Sequence, residues 1–168
     1  MRKDGGNHLM SKLWIMSVGI DKYDRDHKDR RDELDSERKH RWSVRKTVEP
    51  NDLILFYYKK SENSTGSIKS IFKITTTAKL ETPDGWTKRG YDYLAGIERI
   101  TKAKHINPIP YEEIMQDKSF SSSHFVAMNM SGRFDATQYW GRFYEILIQN
   151  NPDLKETLSK YSPEKIYQ

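Results

Sequence analysis

Six consecutive aliphatic and aromatic residues, Leu53-Ile54-Leu55-Phe56-Tyr57-Tyr58, follow the turn residues Glu49-Pro50-Asn51-Asp52. A run with no polar position has no face to give to water, so it predicts a central β-strand, rich in the residue types that pleated sheets favour. Leu13 to Val18 is a second apolar run that ends at Gly19, as a buried strand would. Polar Ser61 to Ser67, containing Gly66, predicts a hairpin loop leading into a partner strand over Ile68 to Leu80. There Ile68, Ser70, Phe72 and Ile74 do not alternate cleanly, although Ile71 and Thr75 keep β propensity high. Thr82 to Gly90 is a loop carrying Trp86, and Tyr91 to Ile100 predicts another strand.

Helical signals gather towards the end of the chain. Asn107-Pro108-Ile109-Pro110 breaks it before a short turn at Tyr111 to Met115. Asp135 and Gln138 have capping-box spacing, with Ala136, Tyr139, Trp140, Phe143 and Leu147 at helical intervals behind them. Asn151 and Pro152 then start a second helix carrying Leu154, Leu158 and Tyr161. Asp24 to Arg41 is charged almost throughout, and either a solvated helix or an ordered loop fits it. Strands interspersed with helices in 168 residues predict one α+β domain, a mixed β-barrel with packed helices. Residues 13–168 are expected to form it. Residues 1–12 are expected to be disordered or introduced by cloning, with Met10 as an alternative start.

Composition removes several kinds of chemistry. Without cysteine there is no disulfide, thiolate metal site or cysteine nucleophile, and cytoplasmic residence is the simplest expectation. His8, His27, His40, His105 and His124 show no metal-ligand spacing, and no Walker A, GxGxxG or GxSxG pattern occurs. No cofactor is therefore expected. No window approaches a membrane span, so no membrane partner is expected. The acids between Asp24 and Glu37 alternate with arginine and lysine, as surface ion pairs do. Asp92, Glu98 and Lys102 are loose candidates for a metal-dependent nuclease site. A net charge of +5 tilts the partner towards an anion.

Two tryptophans stand in basic settings. Arg38-Lys39-His40-Arg41-Trp42-Ser43-Val44-Arg45-Lys46 wraps cations around one indole, and Gly85-Trp86-Thr87-Lys88-Arg89-Gly90 places another beside two cations. Cations neutralise phosphates, and aromatic faces stack on bases at about 1–3 kcal/mol each. The competing reading makes Trp42 a core residue at a strand start and Trp86 a loop anchor. Trp14, Trp140, Tyr57 and Tyr144 lie within periodic apolar patterns and are read as core.

The segment Arg41-Trp42-Ser43-Val44, followed by Val48-Glu49-Pro50-Asn51-Asp52-Leu53-Ile54-Leu55-Phe56-Tyr57, resembles the tryptophan, spacer and strand of the EVE family. Asn51 departs from that family's usual glycine. Trp42-Ser43 is similar to the tryptophan-serine pair of YTH domains, and Ser122 to Asn129 resembles a serine-histidine-phenylalanine stretch of EVE proteins. The resemblance spans about Leu13 to Leu147 and implies a PUA-like fold of EVE/YTH type. It also implies a nucleic-acid partner, DNA or RNA, whose flipped and methylated base enters an aromatic cage.

On that resemblance Trp42 is one cage wall and Trp86 the second, with the backbone beside Ser43 against the base. Asp21 and Tyr23 lie where YTH domains read base edges. Arg38, Lys39, Arg41, Arg45, Lys46, Lys88 and Arg89 would meet the phosphate backbone. No catalytic residue follows, so chemistry would come from an effector such as a nuclease or motor, as in modification-dependent restriction systems. A metal-dependent nuclease and a protein-interaction domain remain the alternatives.

Overall fold

The computed structural model describes residues 12–20, 28–62, 64–81 and 92–162. Strands β1 (Leu13–Val18) and β3 (Leu53–Tyr58) lie parallel, with Leu13 opposite Leu53 and Val18 opposite Tyr58. Every position of β3 is buried. Leu53, Leu55 and Tyr57 enter one core while Ile54, Phe56 and Tyr58 enter another, which is why the run is wholly aliphatic and aromatic.

Around this pair run β2 (Lys39–Val44), β4 (Ser67–Ile74), β6 (Asp92–Arg99) and β8 (Arg133–Asp135), in the spatial order β2-β6-β4-β3-β1-β8. Short β5 (Lys79–Glu81) pairs with β6, and β7 (Ile109–Pro110) pairs with β4. The sheet curls into a half-barrel whose edge strands meet through side chains. Arg133 Nη1 donates to the Ser43 hydroxyl at 3.0 Å, and Arg45 Nε donates to the Arg133 carbonyl at 3.2 Å.

The imperfect alternation in β4 has a local cause. Tyr57 faces Ile68 but Phe56 faces Ser70, so Lys69 is an extra residue on the β4 side. This bulge puts Ile68 and Ile71 in the same core, and Phe72 and Ile74 in the other. Asn51, in the turn before β3, has φ 75°, a left-handed conformation that asparagine tolerates nearly as well as the glycine it replaces. Asp52 beside it is fully buried and accepts from Trp14 Nε1 at 2.9 Å, Glu49 N at 2.9 Å and Lys12 N at 3.2 Å. Burial pushes its carboxyl up despite these donors. The carboxylate thus pins the start of β1 to the entry of β3.

One face of the sheet is covered by α2 (Tyr111–Gln116), α3 (His124–Ala127), α4 (Trp140–Asn150) and α5 (Leu154–Thr157), from which Ile114, Phe125, Trp140, Phe143 and Leu154 join the first core. The inner face, which continues across β2 and β6, is covered by α1 (Arg30–Ser36) through Leu34. The charged stretch before Trp42 therefore becomes a short helix and then a strand, because Leu34 gives the helix one buried contact. Around the start of the helix Arg30 pairs with Glu33 and Arg31 with Asp29, ion pairs of the kind the alternating charges predict, while other charges of the stretch pair across the fold. The expected capping box is not formed: the Asp135 carboxylate takes the Thr137 N–H at 3.0 Å and hydroxyl at 2.7 Å, while the 3-10 turn and α4 start from Ala136 and Tyr139 with no side-chain cap. The second C-terminal helix is shorter than its periodicity implies, since α5 gives way to a 3-10 turn at Ser159–Tyr161. No helix among the described residues is long and apolar enough to cross a membrane.

Candidate nucleic-acid interface

Strand β2 sorts its residues by alternation. Trp42 points inward and is 6% exposed, so it is a core residue in the middle of a strand, not at its start. Its cross-strand partner is Ala95, whose small side chain leaves lateral space for an indole. The ring meets Phe56 edge-on at 5.8 Å and His40 at 5.5 Å. On it lies the guanidinium of Arg30, 5.0 Å from the ring centroid. A flat cation from the first turn of α1 thus covers the tryptophan. Arg30 also pairs with Glu33 at 3.0 Å.

The helix that carries Arg30 is anchored from below. Asp29 caps it by accepting from Arg31 N at 2.9 Å, and Arg31 donates to Asp29 through Nε and Nη2 and to the Lys59 carbonyl at 2.7 Å. The Arg31 side-chain hydrogen bonds outweigh partial burial and hold the Asp29 carboxyl below its ordinary range. At the other end of the helix Asp35 accepts from Tyr58 at 2.7 Å and pairs with His105 at 3.0 Å. The tryptophan is thus covered by an element clamped at both ends.

The outward residues of β2 and its extension meet different fates. Arg41 pairs with Glu81 of β5, and Arg38 lies 3.8 Å from Glu98. Their charges are partly neutralised. Lys39, Arg45 and Lys46 are exposed. Ser43 turns away from the Trp42 side, its hydroxyl accepting from Arg133. A cleft of about 570 Å³ opens beside this seam, lined by Arg45, Thr47, Ser122, His124, Arg133 and Asp135 among others. It joins the basic cluster to the Ser122–Phe125 stretch, two segments that the sequence presents separately. Arg133 is the residue that sequence reasoning missed. No charge run marks it, and only the pairing of Met16 with Arg133 carries it to the edge of β2.

Five expected site residues, Asp21, Tyr23, Trp86, Lys88 and Arg89, lie outside the described residues. Of the loose nuclease candidates, Glu98 pairs with Arg38. Among the described residues no group of three histidines or acids is placed to hold a metal ion.

The topology recurs in solved structures. The human THYN1 protein in complex with 5-methylcytosine containing DNA superposes with a TM-score of 0.60, covering 84% of this chain and 98% of that one at 13% identity. The fold is the PUA-like fold of THYN1. A protein from Pseudomonas putida matches at TM-score 0.58 and 13% identity over 80% of this chain and 98% of its own. One from Pseudomonas syringae matches at 0.56 and 19% over 80% and 98%. At these identities the likeness establishes architecture. No family model and no curated protein matches the chain.

Proposed function

We propose that this domain reads a modified, methylated base in DNA or RNA, with Trp42 as a stacking wall of the pocket. The observation that carries the reading is the Arg30 guanidinium lying on the Trp42 indole inside the curled sheet. A surface that accepts one flat, electron-poor group accepts another. Cation–π contacts contribute about 0.5–2 kcal/mol and base stacking about 1–3 kcal/mol, so a base can replace the guanidinium at little net cost. Displaced from the ring, Arg30 would keep its charge beside the strand, where Glu33 also holds it.

Trp86 would supply the opposite wall, and Asp21 and Tyr23 the base edge. Arg45, Lys46 and Arg133 at the seam would carry the phosphates, supported by exposed Lys39 and by Lys88 and Arg89, while Arg38 and Arg41 contribute less because acids already hold them. A human neighbour of the same fold was solved with 5-methylcytosine containing DNA, which supports methylcytosine as the first base to test. The domain would bind without chemistry, leaving cleavage to an effector such as a nuclease or motor, as in a modification-dependent restriction system. Fluorescence anisotropy with strands differing only in one 5-methylcytosine tests it. Tighter binding of the methylated strand is expected, and no binding of either at low salt overturns the proposal.

A further inference from the structure

A cavity unrelated to Trp42 lies on the other side of β3. Because Tyr57 alternates with Phe56 and Tyr58, its ring enters the helix-covered core while Trp42 occupies the opposite one. A pocket of about 440 Å³ opens there, lined by Tyr57, Tyr111, Lys59, Lys60, Asn129 and Ser131 among others. That volume lies within the usual range for small-molecule sites, roughly 300–1,000 Å³.

Tyr57 is 5% exposed, yet its hydroxyl makes no hydrogen bond among the described residues. The oxygen is not sealed in, since it is not among the buried polar atoms left without a partner, so it faces the open space of the cavity. The neighbouring tyrosines are satisfied within the protein: Tyr111 donates to Asn129 Oδ1 at 3.0 Å, and Tyr58 bonds Asp35 and Ser70. The Tyr57 hydroxyl lies over Gly66, another residue of the pocket wall, where an added Cβ would come within 1.8 Å of it. Glycine is therefore what lets the phenol reach the cavity. Burial first, then Tyr111 and Glu112, push the phenol up to about 12, so it remains an O–H donor at neutral pH.

The rest of the wall is rich in donors. Lys59 and Lys60 bring ammonium groups and Thr65 and Ser131 bring hydroxyls, with Glu112 as the acid among them. Asn129 and Met130 hold left-handed φ values of 53° and 64°, which costs energy and builds the turn that seats Asn129 against Tyr111. A cavity with an unpaired donor at its base, two cations and an aromatic wall calls for a flat ligand bearing an anion with several acceptor oxygens. We propose that it binds a nucleoside monophosphate, the phosphate taking the Tyr57 hydroxyl and the two lysines and the base lying against Tyr111. This chemistry has two sources, a free mononucleotide or the 5′-phosphorylated end of a strand.

Calorimetric titration of the full chain with cytidine and adenosine monophosphates, against the nucleosides and inorganic phosphate, tests the assignment. At least one monophosphate should bind, with its nucleoside about tenfold weaker or more. Tyr57→Phe removes one oxygen and keeps the ring in the core, and it should weaken binding about fivefold or more at unchanged melting temperature. Lys60→Ala, a surface change, should weaken it and flatten its salt dependence. Absence of binding at millimolar nucleotide, or equal affinity in both variants, overturns the proposal. If a 5′-phosphorylated oligonucleotide binds more tightly than its 5′-hydroxyl counterpart and Tyr57→Phe abolishes the difference, the source is the strand end. Equal binding of the two oligonucleotides assigns the free mononucleotide. A saturating monophosphate should leave the affinity for a methylated, 5′-hydroxyl oligonucleotide unchanged, because the two ligands occupy opposite sides of β3, so failure of the base-reading proposal and failure of this one are separable.

Discussion

Truncating Trp42 to alanine removes a ring packed edge-on against Phe56 and His40 at 6% exposure, a change that costs about 3–5 kcal/mol in a core. The alanine variant is therefore expected to melt well below the parent and to be uninformative about binding. Trp42→Phe keeps a ring in the core and shrinks the stacking face, so the fold should survive while strand binding falls about tenfold, the equivalent of about 1.4 kcal/mol. Melting curves and anisotropy on the same samples check both halves. An intact fold with parental affinity would remove Trp42 from the site. The cap that holds Arg30 in place has its own pH signature. Arg31 depresses the Asp29 carboxyl, so its contribution is complete above the ordinary carboxylate value of about 4 and is lost as pH falls through the lower folded value. Exposure screens the pair, so the contribution is about 1 kcal/mol or less. Asparagine also caps helices, so Asp29→Asn should melt slightly below the parent at neutral pH, and the gap should begin to close below about pH 4 and vanish as pH falls past the depressed folded value. A gap that persists unchanged to pH 2 would place the stabilisation elsewhere than in the carboxylate.

Edge strands β2 and β8 decide which cations are available to a strand of nucleic acid. Arg45→Ala should lower the slope of log affinity against log salt by about one, because each phosphate contact removed releases about one counterion fewer. Arg41→Ala should change the slope less, since Glu81 already holds that guanidinium. Equal losses from both variants would mean that the strand does not follow the β2–β8 seam. The two elements also differ in how well residues alone announce them. β3 follows from an unbroken apolar run buried on both faces, whereas the first half of β2 lies in a charged stretch that fits a helix or loop, and only the competing reading of Trp42 points to a strand. β8 is three residues long with half-exposed side chains, and its strand character comes from the neighbour it pairs with. Local pattern carries no information about such a partner, so Arg133 was invisible before the fold placed it. The β4 bulge has the same origin: Lys69 breaks the alternation, but only the register against Phe56 and Tyr57 shows that the break is a single inserted residue. The inward direction of Trp42 was likewise hidden, since a tryptophan among cations fits a core as well as a surface.

Considered as one molecule, the domain has a curled sheet with an inner core under α1, a helix-covered outer core, and a seam of arginines where the edge strands meet. On the proposed reading the arrangement divides two tasks. Phosphates would be held at the seam by charge without regard to sequence, while discrimination would fall to the base site at Trp42. A methyl group adds about 0.8 kcal/mol when buried, roughly a fourfold preference, so larger selectivity requires the pocket to penalise the bare base as well. The methylated strand is therefore expected to bind at least about fourfold more tightly than its unmethylated counterpart. Chelating divalent metal should leave the ratio unchanged, because stacking and hydrogen bonding need none. Preference should be largest when the target base is unpaired or mismatched, since drawing a base from an intact duplex costs a few kcal/mol that an open site does not. Competition titrations with paired, mismatched and single-stranded targets, each with and without the methyl group, measure all of this in one series. Identical affinities across the methyl pairs would reduce the domain to a general nucleic-acid binder with Trp42 as a nonselective platform, and cleavage of any target by the purified chain would make it an enzyme instead.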